Sequence, residues 1–122
     1  MKHMVRGVRM VTKPLTTDAN GNCVATIEEV TGKLLAWQFI LGTLASGAVD
    51  VTITESNYGL TLYSGNNANA NVTKRPRFQL QDSAGSNISF YEPLALADAV
   101  ITVTLAQGGN AKTGQIRLWV EN

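Results

Sequence analysis

The chain reads as an all-β protein, a single-domain β-sandwich or barrel of jelly-roll-like form with about eight or nine short antiparallel strands. Three observations predict this. Apolar residues recur with period two rather than 3.6 over most of the 122 residues. The alternating runs are separated by clusters of Gly, Asn, Asp and Ser at spacings of about ten residues, the rhythm of strands joined by tight turns. Charged residues make up only 16%, whereas Asn (10) and Thr (13) are abundant and fall between apolar positions, where a strand would face water.

The elements follow in order. Residues 5–13 alternate loosely until Pro14, which is expected to end the first strand. Asp18-Ala19-Asn20-Gly21-Asn22 is a turn cluster in which Asn20-Gly21 can take positive φ cheaply. Cys23, Ala25 and Ile27 then share one face of a partner strand. Residues 33–41 are apolar at nearly every position, with Leu35, Trp37, Phe39 and Leu41 on a common face. That run reads as a strand covered on both sides or half buried in an oligomer interface, with a short helix as the competing reading.

Val49, Val51 and Ile53 point inward from a clean strand whose outer face carries Asp50, Thr52 and Thr54. After a Tyr58-Gly59 turn, residues 60–63 form the next strand. Residues 64–71, with Asn66, Asn67, Asn69 and Asn71 among alanines, have the composition of a loop. Residues 72–80 contain Pro76, which confines that strand to an edge or a break. Beyond the Asp82-Ser83-Ala84-Gly85 turn come Ile88-Ser89-Phe90-Tyr91, and then residues 92–98 as a loop or one helical turn. The clearest alternation is at the end, with Ile101, Val103 and Leu105 inward on one strand and Ile116, Leu118 and Val120 inward on its hairpin partner. Thr102, Thr104, Arg117 and Trp119 lie on the outer face of that hairpin.

Residues 1–122 are expected to form one domain, because a chain of this length buries about two thirds of its unfolded surface in one core. Residues 1–4 would be an arm or a frayed end. A net charge of +1 argues against nucleic acid as a partner, since a polyanion needs a concentrated excess of Lys and Arg. Residues 34–44, the most apolar run, are too short to cross a bilayer, so no membrane is expected as a partner. Without an apolar stretch of signal-peptide length near Met1, the protein is expected to be made in the host cytoplasm.

Catalysis needs an activated group beside an oriented neighbour, and the sequence offers none, so no enzyme, cofactor or metal is expected. His3 is the single histidine and Glu28-Glu29 the single adjacent acidic pair, whose members point to opposite faces of a strand. Cys23 is the single cysteine, excludes an intrachain disulfide, and reads as a small core residue. The glycosylation-like triplets Asn71-Val72-Thr73 and Asn87-Ile88-Ser89 are what an Asn- and Thr-rich chain produces by chance.

The candidate protein-contact residues are Lys74, Arg75, Arg77, Arg117 and Trp119. Lys74-Arg75-Pro76-Arg77 is the one concentrated charge. It reads either as a patch meeting an acidic protein surface or a nucleic-acid backbone, the protein being preferred because no second basic cluster extends it, or as a solvated edge strand whose charge and proline discourage sheet-to-sheet pairing. Trp37 reads as core and Trp119 as an interface anchor.

Residues 80–121 carry a resemblance. Ile88-Ser89-Phe90-Tyr91-Glu92, Leu96-Ala97-Asp98, residues 101–109 through Gly108-Gly109, then Lys112-Thr113-Gly114 leading to Ile116-Arg117-Leu118-Trp119-Val120-Glu121 resemble a small family of tailed-bacteriophage structural proteins. In that family a final hairpin with a glycine-pair, lysine and glycine tip closes a β domain. The resemblance implies a virion component on the outer capsid surface, a capsid decoration or cement protein that stabilises the head by bridging capsid subunits. Its partners would be the major capsid protein and copies of itself, a homotrimer being favoured. A head-tail connector or tail protein in low copy number is the alternative within that class. A small receptor- or carbohydrate-binding module is the alternative outside it.

Overall fold

The computed structural model describes residues 7–122, so the expectations for residues 1–4 and for His3 lie outside the described residues. Nine strands appear in the order β1 (Val8–Thr16), β2 (Cys23–Ile40), β3 (Val49–Glu55), β4 (Thr61–Ala68), β5 (Val72–Lys74), β6 (Phe78–Gln81), β7 (Asn87–Glu92), β8 (Leu94–Ala106) and β9 (Thr113–Glu121). All pairings are antiparallel. The main sheet runs β1-β9-β2-β8-β3-β4, with β5 also on β2, while β6 and β7 pair only with each other.

The long β2 makes this sheet a sandwich. Its first part, from Cys23 to Leu34, lies against β8, and its second part, from Lys33 to Ile40, lies against β9, with β5 alongside Trp37 to Phe39. One strand therefore belongs to two layers, β4-β3-β8-β2 and β5-β2-β9-β1, which is how strands turn corners between packed sheets. Trp37 of one layer meets Tyr63 of β4 in the other, with ring centroids 4.9 Å apart and planes tilted by 54°. Val49, Val51 and Ile53, Ile101, Val103 and Leu105, and Ile116, Leu118 and Val120 all face the core between the layers, as their alternation predicts. The expected pairings, however, are not formed. The last two strands are not a hairpin, because β2 lies between β8 and β9, and the strand after the Asn20-Gly21 turn pairs with β8 and β9 rather than with β1.

Bulges make the corner. In β2 the buried positions run Ala25, Ile27, then Val30 and Leu34, then Trp37 and Phe39, so the inward parity changes twice. Register shifts fall at the same places, between Ile27 and Val30 and between Leu34 and Ala36. Opposite the first, β8 changes parity between Leu96 and Ala99, and both bulges hold a residue at positive φ, Glu29 (57°) and Asp98 (48°). Side chains satisfy the backbone freed there. Asp98 N donates to Thr31 Oγ1 (2.9 Å), Val100 N to Ser56 Oγ (2.8 Å), and the Asn57 amide both donates to and accepts from Ala97. Gly32, at φ 121°, completes the bend, and a Cβ there would run into the Glu121 carbonyl.

Several expectations are corrected by this geometry. Residues 33–41 are the strand expected of them over Lys33 to Ile40, not the competing helix, but one face is open to the surface rather than both being covered. The second parity change also puts Leu34, not Leu35, inward beside Trp37 and Phe39, and sends Leu35 to the outer surface. Pro14 does not end β1, which continues to Thr16, because β1 pairs only with β9 and its other edge demands no donor. Residues 64–71 are not simply a loop. β4 runs to Ala68 along β3, with a bulge where Asn67 (φ 55°) donates its backbone N–H to Asp50 Oδ1 (3.0 Å). Residues 94–98 belong to β8, not to a loop, since the bulge at Ala97-Asp98 interrupts the alternation without interrupting the ladder. Pro76 breaks residues 72–80 into β5 and β6. Glu28-Glu29 sits within β2 and both members are exposed, because the bulge removes the alternation that would have set them on opposite faces.

Candidate functional site

The outer face of the β5-β2-β9-β1 layer carries a groove of about 390 Å³ lined by Val8, Leu35, Ala36, Thr73, Arg75, Arg77 and Trp119. Each lining residue arrives through the ladder. Trp119 faces Met10 across the β1-β9 pairing and Ala36 across the β2-β9 pairing, and small Ala36 leaves space above the sheet beside the indole. Leu35 joins because of the bulge next to it. Thr73 comes from β5, and Arg75 and Arg77 flank Pro76 in the segment that leaves the layer. Arg77 is anchored, its Nη1 donating to the Leu35 carbonyl at 3.0 Å and to the Pro76 carbonyl at 2.8 Å.

Of the five residues singled out from the sequence, the structure brings Arg75, Arg77 and Trp119 together in this groove. Lys74 is exposed at the end of β5, opposite Trp37 in register, and does not line it. Arg117 lies two residues along β9 in a second groove of about 390 Å³, with Pro14, Ile40, Gly42, Thr113, Gly114 and Gln115. Its Nε is buried with no hydrogen-bond partner among the described residues. The Trp119 ring is half-buried, whereas Trp37 is fully buried. The groove thus offers an apolar floor, a half-open indole and two guanidinium groups, a combination suited to aromatic or aliphatic side chains accompanied by carboxylate.

A second surface was not singled out from the sequence. All six residues of β7 are exposed, and Phe90 (67%), Tyr91 (61%) and Ile88 (36%) are large apolar side chains in water. The hairpin is internally sound. Asp82 Oδ1 accepts from Ala84 N (2.9 Å) and Ser86 N (3.0 Å) to close its turn, and Gln79 Nε2 donates to the Ile88 carbonyl (2.8 Å). The signal available in the sequence was the adjacency of Phe90 and Tyr91, which must point to opposite faces of a strand, together with Pro76 and Pro93 bracketing the segment. Among the described residues, no group of three His, Cys, Asp or Glu side chains is placed to hold a metal ion. The one described cysteine, Cys23, is free and half-buried against the core.

No protein-family model matches the chain, and no curated protein matches it. Among solved structures it is similar to a chain of the Bacillus endospore appendages, described as a novel family of disulfide-linked pili. The identity there is 13% and the TM-score 0.46, over 98% of this chain and 89% of that one. It is also similar to a chain of infectious bursal disease virus strain Gx, at 13% identity and a TM-score of 0.31, over 94% of this chain and 32% of that one. Likenesses this distant carry no functional argument.

Proposed function

We propose that the protein is a non-enzymatic structural component of a bacteriophage virion, a capsid decoration or cement protein on the outer surface of the head that bridges capsid subunits. The observation that carries this reading is the placement of apolar side chains on the outside in two separate regions, the Trp119 groove and the β6-β7 hairpin, on a domain with few charges. Two separate contact regions suit a molecule that bridges, and a groove floored by Leu35 and Ala36 suits burial against protein. The resemblance of residues 80–121 to tailed-phage structural proteins supports the same reading. The major capsid protein is the proposed partner, together with sister copies in a homotrimer. Many copies, each with a modest interface, stabilise a shell through avidity.

The test is the copy number of this protein in purified particles, relative to the major capsid protein, by quantitative mass spectrometry. A stoichiometry comparable to the capsid protein supports decoration, a handful of copies moves the protein to the connector or tail, and complete absence overturns the virion reading. Trp119→Ala is expected to weaken particle binding by ~2 kcal/mol, roughly 30-fold, with a smaller loss of folding stability. Unchanged particle occupancy would remove Trp119 from the interface.

A further inference from the structure

The hairpin begins at Phe78, immediately after the groove residue Arg77, yet none of the seven groove-lining residues comes from β6 or β7. The hairpin presents Ile88, Phe90 and Tyr91, and its charged residues, Asp82 and Glu92, are both acidic. The groove presents an apolar floor and Trp119, and its charged residues, Arg75 and Arg77, are both basic. Glu92 lies opposite Phe78 at the base of the hairpin, next to Arg77 of its own chain, whereas Asp82 at the turn is the carboxylate that an inserted hairpin would carry to the guanidinium rim of another copy. A two-stranded hairpin is marginally stable by itself, and this one, bracketed by Pro76 and Pro93 and apart from the main sheet, leans on the core only through Phe78 of β6 while β7 is exposed throughout.

From this complementarity of polarity and charge we infer that the β6-β7 hairpin of one copy docks into the Arg75-Arg77-Trp119 groove of a second copy of this chain. The contact is heterologous, because two different surfaces meet and the pair keeps one free groove, on one copy, and one free hairpin, on the other. Such contacts propagate until they close into a ring, a trimer being one closure, or continue as an open chain. This self-docking does not depend on the virion reading. It deepens the proposed contact between sister copies and is read on purified protein, so a monomeric chain would remove the homotrimer with it, whereas the place in the virion is decided separately on particles.

Two variants and their mixture test it. Phe90→Ala with Tyr91→Ala empties the hairpin and changes only exposed residues, so the fold should be retained, as circular dichroism would confirm. Thr73→Trp with Arg75→Glu fills and recharges the groove while leaving the hairpin intact. Analytical ultracentrifugation should find the wild-type chain self-associated and each variant monomeric, with the dissociation constant raised by at least about 30-fold. An equimolar mixture of the two variants should form a 1:1 dimer, since the first still offers a groove and the second a hairpin. Asp82→Asn, another exposed change that keeps the Oδ1 acceptor of the turn, should weaken association in the same direction and serves as the second variant if the groove variant does not fold. A monomeric wild type would overturn the inference. So would a hairpin variant that still self-associates, or two folded monomeric variants that fail to pair. Loss of particle binding by the hairpin variant with self-association unchanged would assign the hairpin to another partner and equally overturn it.

Discussion

The two-layer body and the β6-β7 hairpin are both antiparallel β-structure, yet they obey opposite rules of burial. In β3 and β9 nearly every second residue is sealed in the core, whereas in β7 none is. The difference lies in what each strand has behind it. β3 lies between β8 and β4 and presses Val49, Val51 and Ile53 onto the opposite layer, while β7 has one neighbour, β6, and buries none of its own side chains. Hydrogen bonding and turn chemistry are present in both regions, so these set the local form of a strand, and apolar burial decides how much it contributes to stability.

The sharpest way to test the contrast is to truncate one aromatic residue in each region. Phe39→Ala, in the fully buried part of β2, is expected to cost about 3–5 kcal/mol in denaturant unfolding, enough to threaten a domain of this size. An intermediate effect is expected at Glu55, a buried carboxylate at the end of β3 whose oxygens accept from Tyr58 N (3.0 Å) and Leu60 N (2.8 Å). Removing it in Glu55→Ala orphans both donors and should cost about 1–3 kcal/mol by the same measurement. The smallest effect belongs to the hairpin, where Phe90→Ala combined with Tyr91→Ala should leave monomer stability within about 0.5 kcal/mol of wild type. A loss as large as that at Phe39 would mean that the hairpin is part of the core after all. Hydrogen exchange sharpens the comparison without mutation, since hairpin amides should exchange through local opening and those of β3 and β8 only through global unfolding.

The same contrast explains what could be read from the residues alone. Wherever one face of a strand is sealed and no bulge intervenes, alternation reports burial, so Val49 to Ile53, Ile101 to Leu105 and Ile116 to Val120 were legible. The turn at Asn20-Gly21 was legible too, with Gly21 at φ 81°. Bulges were not. Glu28-Glu29 and Ala97-Asp98 look like interruptions in a one-dimensional pattern, and it takes the partner strand to show that the ladder continues past them. The Asn-rich run after Tyr63 misled because an edge strand needs no apolar content when Asp50 and the β3 backbone hold it. Arg75, Arg77 and Trp119 could be chosen from charge and aromaticity, but their meeting in one groove depends on β5 lying beside β2, a pairing between distant residues that no local pattern encodes. The exposure of β7 was hidden by its ordinary apolar composition, which is indistinguishable from that of a buried strand until its neighbours are counted.

The pairing of the first strand with the last has a consequence for how the protein is made. Val8 lies opposite Glu121 and Thr16 opposite Thr113, and β9 also supplies the neighbour of β2 from Lys33 to Ile40. While the chain is still emerging from the ribosome, β1 has no partner, and the stretch containing Trp37 and Phe39 lacks the strand that completes its layer. That layer can close only after β9 has been synthesised, so the domain should fold late and nearly all at once, with a sticky aromatic segment in need of protection until then.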